Sequence, residues 1–239
     1  MDWNNDGYHD LLVGDSHGNV VIYMNTADNT DPVLDNGTII FNIGHDRATP
    51  VVSDWNDDGK KDLIIGNMEG NIIIYLNKGT DSLPTFDTPF LLQLDGKIFN
   101  AGTRSAPRIY DWNKDGLKDL LVGEMQGYVY YLKNIGTRNS PLFRKAEKLL
   151  LRNGDFMRYP DPTGNSRSRL YVTDWNDDGL NDIVLSGRDG KILLYLATSE
   201  ASHSPRALAM RIWNQSRESL LNLKNIFMDN IRELKKRIL

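Results

Sequence analysis

Asp54 to Asn77 reads DWNDDGKKDLIIGNMEGNIIIYLN, and three other stretches repeat it almost residue for residue. They are DWNNDGYHDLLVGDSHGNVVIYMN from Asp2, DWNKDGLKDLLVGEMQGYVYYLKN from Asp111 and DWNDDGLNDIVLSGRDGKILLYLA from Asp174, with starts 52, 57 and 63 residues apart. Each copy has the same punctuation: an Asp/Asn/Gly loop, a short apolar run, a glycine-containing turn, and a second run rich in Ile, Val and Tyr. Runs this short, bounded by turn residues, predict buried strands rather than helices.

A further strand is expected before each loop after the first, at 49–53, 106–110 and 169–173. A weaker fourth is expected between repeats, around 38–42, 86–94 and 143–151. Four strands per repeat of about 50–60 residues is the pattern of a propeller blade, so the chain reads as all-β, a β-propeller of about four blades. The first repeat begins at its loop and lacks its first strand. The last runs into Ser199–Pro205 with no fourth strand in view. A small closed ring, half of an eight-blade dimer and part of a larger ring all remain open. Residues 1–198 are read as the blades and 199–239 as a linker and helix.

Every loop is D-x-N-x-D-G-x-x-D. Oxygen ligands would come from Asp2, Asn4, Asp6, the Tyr8 carbonyl and Asp10; from Asp54, Asn56, Asp58, the Lys60 carbonyl and Asp62; from Asp111, Asn113, Asp115, the Leu117 carbonyl and Asp119; and from Asp174, Asn176, Asp178, the Leu180 carbonyl and Asp182. Hard Ca²⁺ takes about six to eight oxygens, and alternate positions of a tight loop point them inward. Position six is always glycine (Gly7, Gly59, Gly116, Gly179), where the chain must turn and a Cβ would obstruct. An EF-hand would need a bidentate Glu at position twelve. Val13, Ile65, Val122 and Leu185 stand there instead, inside strands. About four calcium ions per chain are expected, with Mg²⁺ the poorer fit.

The loop and the strand that follows it resemble the FG-GAP/VCBS repeats of integrin-α-type propellers, over about residues 1–197. That resemblance implies Ca²⁺ in the blade hairpins and a non-catalytic ligand-binding or adhesion module, commonly extracellular. A carbohydrate-binding lectin, the accessory domain of a carbohydrate-active enzyme and a purely structural scaffold are the alternatives. The last repeat departs twice: Ser186 stands where Gly14, Gly66 and Gly123 stand, and Ala197 where Asn25, Asn77 and Asn134 stand.

Other positions recur. Trp3, Trp55, Trp112 and Trp175 follow the first loop Asp, as wedges between blades or as platforms for sugars. Arg47, Arg104 and Arg167 each stand seven residues before a loop. Their guanidinium groups would either ring one opening and bind an acidic ligand, or fix the inter-blade loop through local bonds. H-E-x-x-H, G-x-S-x-G, P-loop and G-x-G-x-x-G signatures are absent, and the four histidines sit at unrelated positions, so no enzyme is expected.

The 239 residues suffice for a real core. No cysteine excludes disulfides and thiol chemistry, a net charge of −4 gives no reason to expect nucleic acid, and no apolar run is long enough to span a bilayer. Met1–Asp6 has no leader-like apolar core, so a location at the cell surface or outside it rests on the resemblance. From Ala207 the period turns helical, with one apolar stripe of Leu220, Leu223, Phe227, Ile231, Leu234 and Ile238. Seven cationic against three acidic residues there suggest a helix that caps a blade edge, pairs with a partner or second copy, or lies on a membrane surface. A protein or glycan ligand and a homodimer through blade edges or this helix are the expected partners.

Overall fold

The computed structural model describes residues 1–44, 46–160 and 166–197, with the backbone of 209–211. Its strands are β1 (Leu11–Gly14), β2 (Asn19–Tyr23), β3 (Thr38–Asn42), β4 (Thr49–Ser53), β5 (Asp62–Gly66), β6 (Ile72–Tyr75), β7 (Phe90–Leu91), β8 (Gln93–Leu94), β9 (Lys97–Ile98), β10 (Ala106–Tyr110), β11 (Asp119–Gly123), β12 (Val129–Leu132), β13 (Glu147–Lys148), β14 (Arg169–Thr173), β15 (Asp182–Ser186), β16 (Ile192–Leu196) and β17 (Ala209–Arg211). They form antiparallel meanders, β1-β2-β3, β4-β5-β6-β7, β10-β11-β12-β13 and β14-β15-β16-β17, with β8-β9 a separate hairpin. Among the described residues there is no helix, and so none long and apolar enough to cross a membrane.

The apolar runs of β5 and β11 become middle strands because each feeds two interfaces, whereas β1 is covered on one face and leaves Leu11 and Val13 exposed on the other. On β5, Leu63 and Ile65 pack with Trp3, Val20 and Ile22 of the first sheet. Ile64, between them, packs with Leu120 and Val122 of the third. On β11 the alternation repeats, Leu121 packing with Ile183 and Leu185 of the fourth sheet. Side chains alternate across a strand, so a strand covered on both faces has no polar position to spare. Each such Leu or Ile contributes about 1.5–3 kcal/mol of burial.

Three of the four loop tryptophans, Trp3, Trp55 and Trp112, are wedges. Trp3 and Trp55 are 2% and 5% exposed, which leaves no face for a sugar. Trp55 reaches into the third sheet, its ring 6.0 Å from that of Phe143, and Trp112 packs against the cluster joining the third and fourth.

The strand-end glycines are also an inter-sheet device. A Cβ on Gly14, Gly66 or Gly123 would lie 2.3 Å from the carbonyl oxygen of Ala48, Ser105 or Ser168, each in the segment entering the next sheet. At the corresponding place in the fourth sheet stands Ser186, and among the described residues no further inner strand follows it.

The first sheet lacks an inner strand, as its sequence predicts. The fourth corrects the reading: Ala209–Arg211 pairs antiparallel with Leu194–Leu196, supplying an outer strand where none was expected and where the helical period was thought to begin. Strand pairing therefore reaches into the 199–239 segment. The stripe from Leu220 to Ile238 lies outside the described residues.

In urea denaturation Trp55→Ala is expected to cost about 3–5 kcal/mol. Gly66→Ala should cost roughly 1–3 kcal/mol, because the crowding atom is backbone and cannot swing away. A loss below 1 kcal/mol for Trp55→Ala would remove its role as a wedge.

Candidate functional site

Each aspartate loop leads into a middle strand, the last three from an inner strand, and is closed by its own carboxylates. The position-one Asp accepts two backbone N–H groups: Asp54 Oδ1 from Asp58 at 3.0 Å and Oδ2 from Gly59 at 2.9 Å. Asp2, Asp111 and Asp174 do the same in their loops. The position-five carboxylates of Asp6, Asp58, Asp115 and Asp178 accept the position-seven N–H. Position four is left-handed although never glycine (Asn5, Asp57, Lys114, Asp177; φ 57–63°), and the position-six glycines have φ 81–91°. A Cβ on Gly7, Gly59 or Gly179 would meet nothing within 4 Å. Glycine is there for its left-handed backbone, not, as the sequence suggested, to avoid obstruction.

The position-nine Asp differs from the others. Asp10, Asp62, Asp119 and Asp182 are buried. One oxygen of each accepts the N–H of the loop tryptophan (Trp3, Trp55, Trp112, Trp175), the other the N–H of the residue fifteen further on (Asn25, Asn77, Asn134, Ala197). Burial pushes the Asp62 carboxyl above the usual carboxylate range; the Asn77 and Trp55 amides pull it down, and Asp58 and Asp54 push it up. Burial likewise raises Asp119 and Asp182, with Asp115 adding to the first and Asp178 and Asp174 to the second.

Two sets of residues extend the loops and were not singled out as functional in the sequence. Asn25, Asn77 and Asn134 are buried, each side-chain oxygen accepting two N–H groups of the following turn. Position eight reaches back to the preceding loop: Lys61 Nζ to the Trp3 carbonyl and Asn5, Lys118 Nζ to the Asp54 carbonyl, and Asn181 Nδ2 to the Trp112 carbonyl. Their recurrence at fixed offsets was the available signal.

Among the described residues, no group of three or more His, Cys, Asp or Glu side chains is gathered tightly enough to hold a metal ion. The loop carboxylates are turned onto the loops' own amides. The donor set still fits a hard cation, most clearly in the second loop. Asn56 Oδ1 is buried there without a hydrogen-bond partner, an arrangement that costs about 1–3 kcal/mol unless something binds it. The carbonyls of Tyr8, Lys60, Leu117 and Leu180 accept no hydrogen bond among the described residues. In the third loop Asn113 Nδ2 donates to Tyr131 Oη, and Lys133 Nζ lies 3.2 Å from Asp115 Oδ2, an ion pair to the position-five carboxylate that no other loop shows among the described residues.

At the other end of the inner strands stand Arg47, Arg104 and Arg167. All three have left-handed backbones, φ 64°, 58° and 46°, at roughly 1 kcal/mol each. Their N–H groups donate to the Ser16, Met68 and Met125 carbonyls in the hairpin turns of the preceding sheets. Local side-chain bonds that would fix the inter-blade loop are not found for these three among the described residues.

Comparison with known proteins gives a match to the FG-GAP-like repeat family over residues 2–65 and 54–122, together just over half of the chain. Integrin alpha-3 of Cricetulus griseus is 26% identical over 174 residues, 67% of this chain and 16% of that protein. Integrin alpha-4 of Xenopus laevis is 28% identical over 141 residues, 51% of this chain and 13% of that protein. The chain thus spans less than a fifth of the length of these relatives.

Asp62→Asn should cost about 1–3 kcal/mol in calcium-free buffer, since one of two buried N–H groups loses its acceptor. The solvent-exposed Asp58 should tolerate Asn there within about 0.5 kcal/mol. Equal losses in the two variants, measured by urea denaturation, would remove the distinction between positions five and nine.

Proposed function

The chain belongs to the FG-GAP-like repeat family, and from that premise we propose that it is a calcium-stabilised β-propeller module that binds a ligand without catalysis. The four meanders would be four blades, the first lacking its inner strand. The carrying observation is the partnerless, buried Asn56 Oδ1 in a loop whose Asp54 and Asp58 repel the Asp62 carboxylate. A divalent cation would supply the missing partner and the missing charge.

Asp54, Asn56, Asp58, the Lys60 carbonyl and Asp62 would hold the ion in the second loop, with the equivalent residues of the first, third and fourth. The position-one and position-five carboxylates are exposed or half-buried, free to exchange an amide contact for a cation. The position-nine carboxylate is already fixed by two N–H groups and offers only its remaining lone pairs. Lys133 competes for Asp115, so the third loop would fill last. An adhesion role on the cell surface or outside the cell is supported by the likeness to two integrin alpha chains. It also suits loops of modest affinity, which fill where calcium reaches about 10⁻⁴–10⁻³ M.

Calorimetric titration of calcium-free protein should show about four sites, one weaker than the rest, and Lys133→Leu should tighten the weak one. A site held at about a hundred times its Kd adds about 2.7 kcal/mol. Asp58→Ala should therefore lower Tm clearly in millimolar calcium and hardly at all in chelator. No calcium heat, or equal losses in both buffers, would sink the reading.

A further inference from the structure

The inner strands β4 and β10 run side by side, as do β10 and β14, so the segments that enter them converge at one end. Arg47, Arg104 and Arg167 stand two residues before those strands. Arg169 opens β14, and Arg108 is the third residue of β10. Among the described residues only Arg108 of the five makes a side-chain hydrogen bond, from Nη1 to the Pro107 carbonyl at 2.9 Å. Among the described residues none of the five forms an ion pair with a carboxylate. Arg47 Nε and Arg167 Nε are buried without a hydrogen-bond partner.

The five repel one another. Arg167 is lowered by burial and by Arg104, Arg47 and Arg188. Burial, together with Arg47, Arg108, Arg167 and Arg104, pushes the Arg169 guanidinium down to about 10. Three of these side chains leave left-handed backbone positions that glycine would occupy with less strain. Strain kept at three equivalent places, unpartnered buried donors and converging like charges together point to a ligand that the chain does not itself supply.

We propose that Arg47, Arg104, Arg167 and Arg169 form a binding site for a ligand carrying two or more oxyanion groups, at the end of the inner strands opposite the aspartate loops. Planar guanidinium forks suit carboxylate, sulfate or phosphate oxygens in pairs. A monoanion would leave most of the charge uncompensated. The site rests on the reading of the chain as a binding module and names the ligand's chemistry. Its distance from the loops, about 16 Å for a five-residue strand, separates it from cation binding.

The test is calorimetry at constant ionic strength, titrating propane-1,2,3-tricarboxylate in one arm and propane-1,3-disulfonate in another. Saturable one-to-one binding is expected, at least tenfold weaker in Arg104→Gln and Arg167→Gln, intermediate in Arg104→Lys, and unchanged in Lys145→Gln, a surface cation elsewhere. The stronger arm identifies a carboxylate or a sulfate-like source. Without anion, Tm of the Gln variants should hold or rise, because repulsion is relieved. No saturable heat in either arm, or Gln variants that bind like wild type with a lowered Tm, would overturn the site and leave the arginines a structural role. Calcium titration of the wild-type chain without anion keeps the two readings apart. Failure there sinks the calcium proposal alone, while an anion isotherm lost in Arg104→Gln stands either way.

Discussion

One buried carboxylate per repeat organises everything around it. Asp62 opens β5, and its two oxygens hold the Trp55 and Asn77 amides, each at 2.7 Å. Burying a carboxylate costs several kcal/mol unless charge-assisted hydrogen bonds replace its water, so both amides must be delivered by the surrounding chain. The Trp55 amide brings the start of the aspartate loop to the middle strand, which aims the indole at the third sheet. The Asn77 amide brings the end of β6 to the same point and sets the buried Asn77 side chain over the next turn. Loop closure, sheet-to-sheet wedging and the exit of the third strand thus share one anchor.

This anchor explains why the loop is repeated with so little variation. A carboxylate needed only for a cation would tolerate shifts of a residue or a change to Glu. One that must receive two backbone amides fifteen and minus seven residues away fixes every spacing between them. Position eight then turns independent loops into a chain of loops. Lys61 and Lys118 place their ammonium groups on main-chain carbonyls of the preceding loop, and Asn181 does so with an amide. A cation in one loop would be felt by its neighbour through these contacts.

The strands were legible because two-sided burial writes unbroken apolar runs, and the loops because their residue types recur four times. The tryptophan wedges were legible for the same reason. What repetition does not carry was missed. Arg108 and Arg169 have no counterparts in the other repeats, since Val51 and Tyr171 align with the first and Thr49 and Ala106 with the second; only the folded arrangement brings them to the recurring arginines. The Asp95-Gly96 turn of the β8–β9 hairpin, with φ 49° and 78°, lies in the spacer of one repeat alone. β17 lies where a helical pattern starts, and its pairing with β16 is tertiary context overriding local period. The position-nine Asp was read for its oxygens, although its constant distance from Asn25, Asn77 and Asn134 already pointed to a backbone role.

The two ends of the inner strands have opposite electrostatic problems. At the loop end, carboxylates crowd together and quench part of their charge on amides of their own loop, so the end is closed without any ligand and would be tightened by a cation. At the entry end, arginines crowd together with their backbones tied to the neighbouring hairpins and their guanidinium groups given no carboxylate among the described residues. Amides can partly satisfy an anion because every peptide supplies a donor. A cluster of cations finds only carbonyl oxygens, whose partial charge compensates a guanidinium weakly. The loop end can therefore be understood largely as architecture that a metal would reinforce, whereas the arginine end stays electrostatically incomplete until something negative arrives from outside.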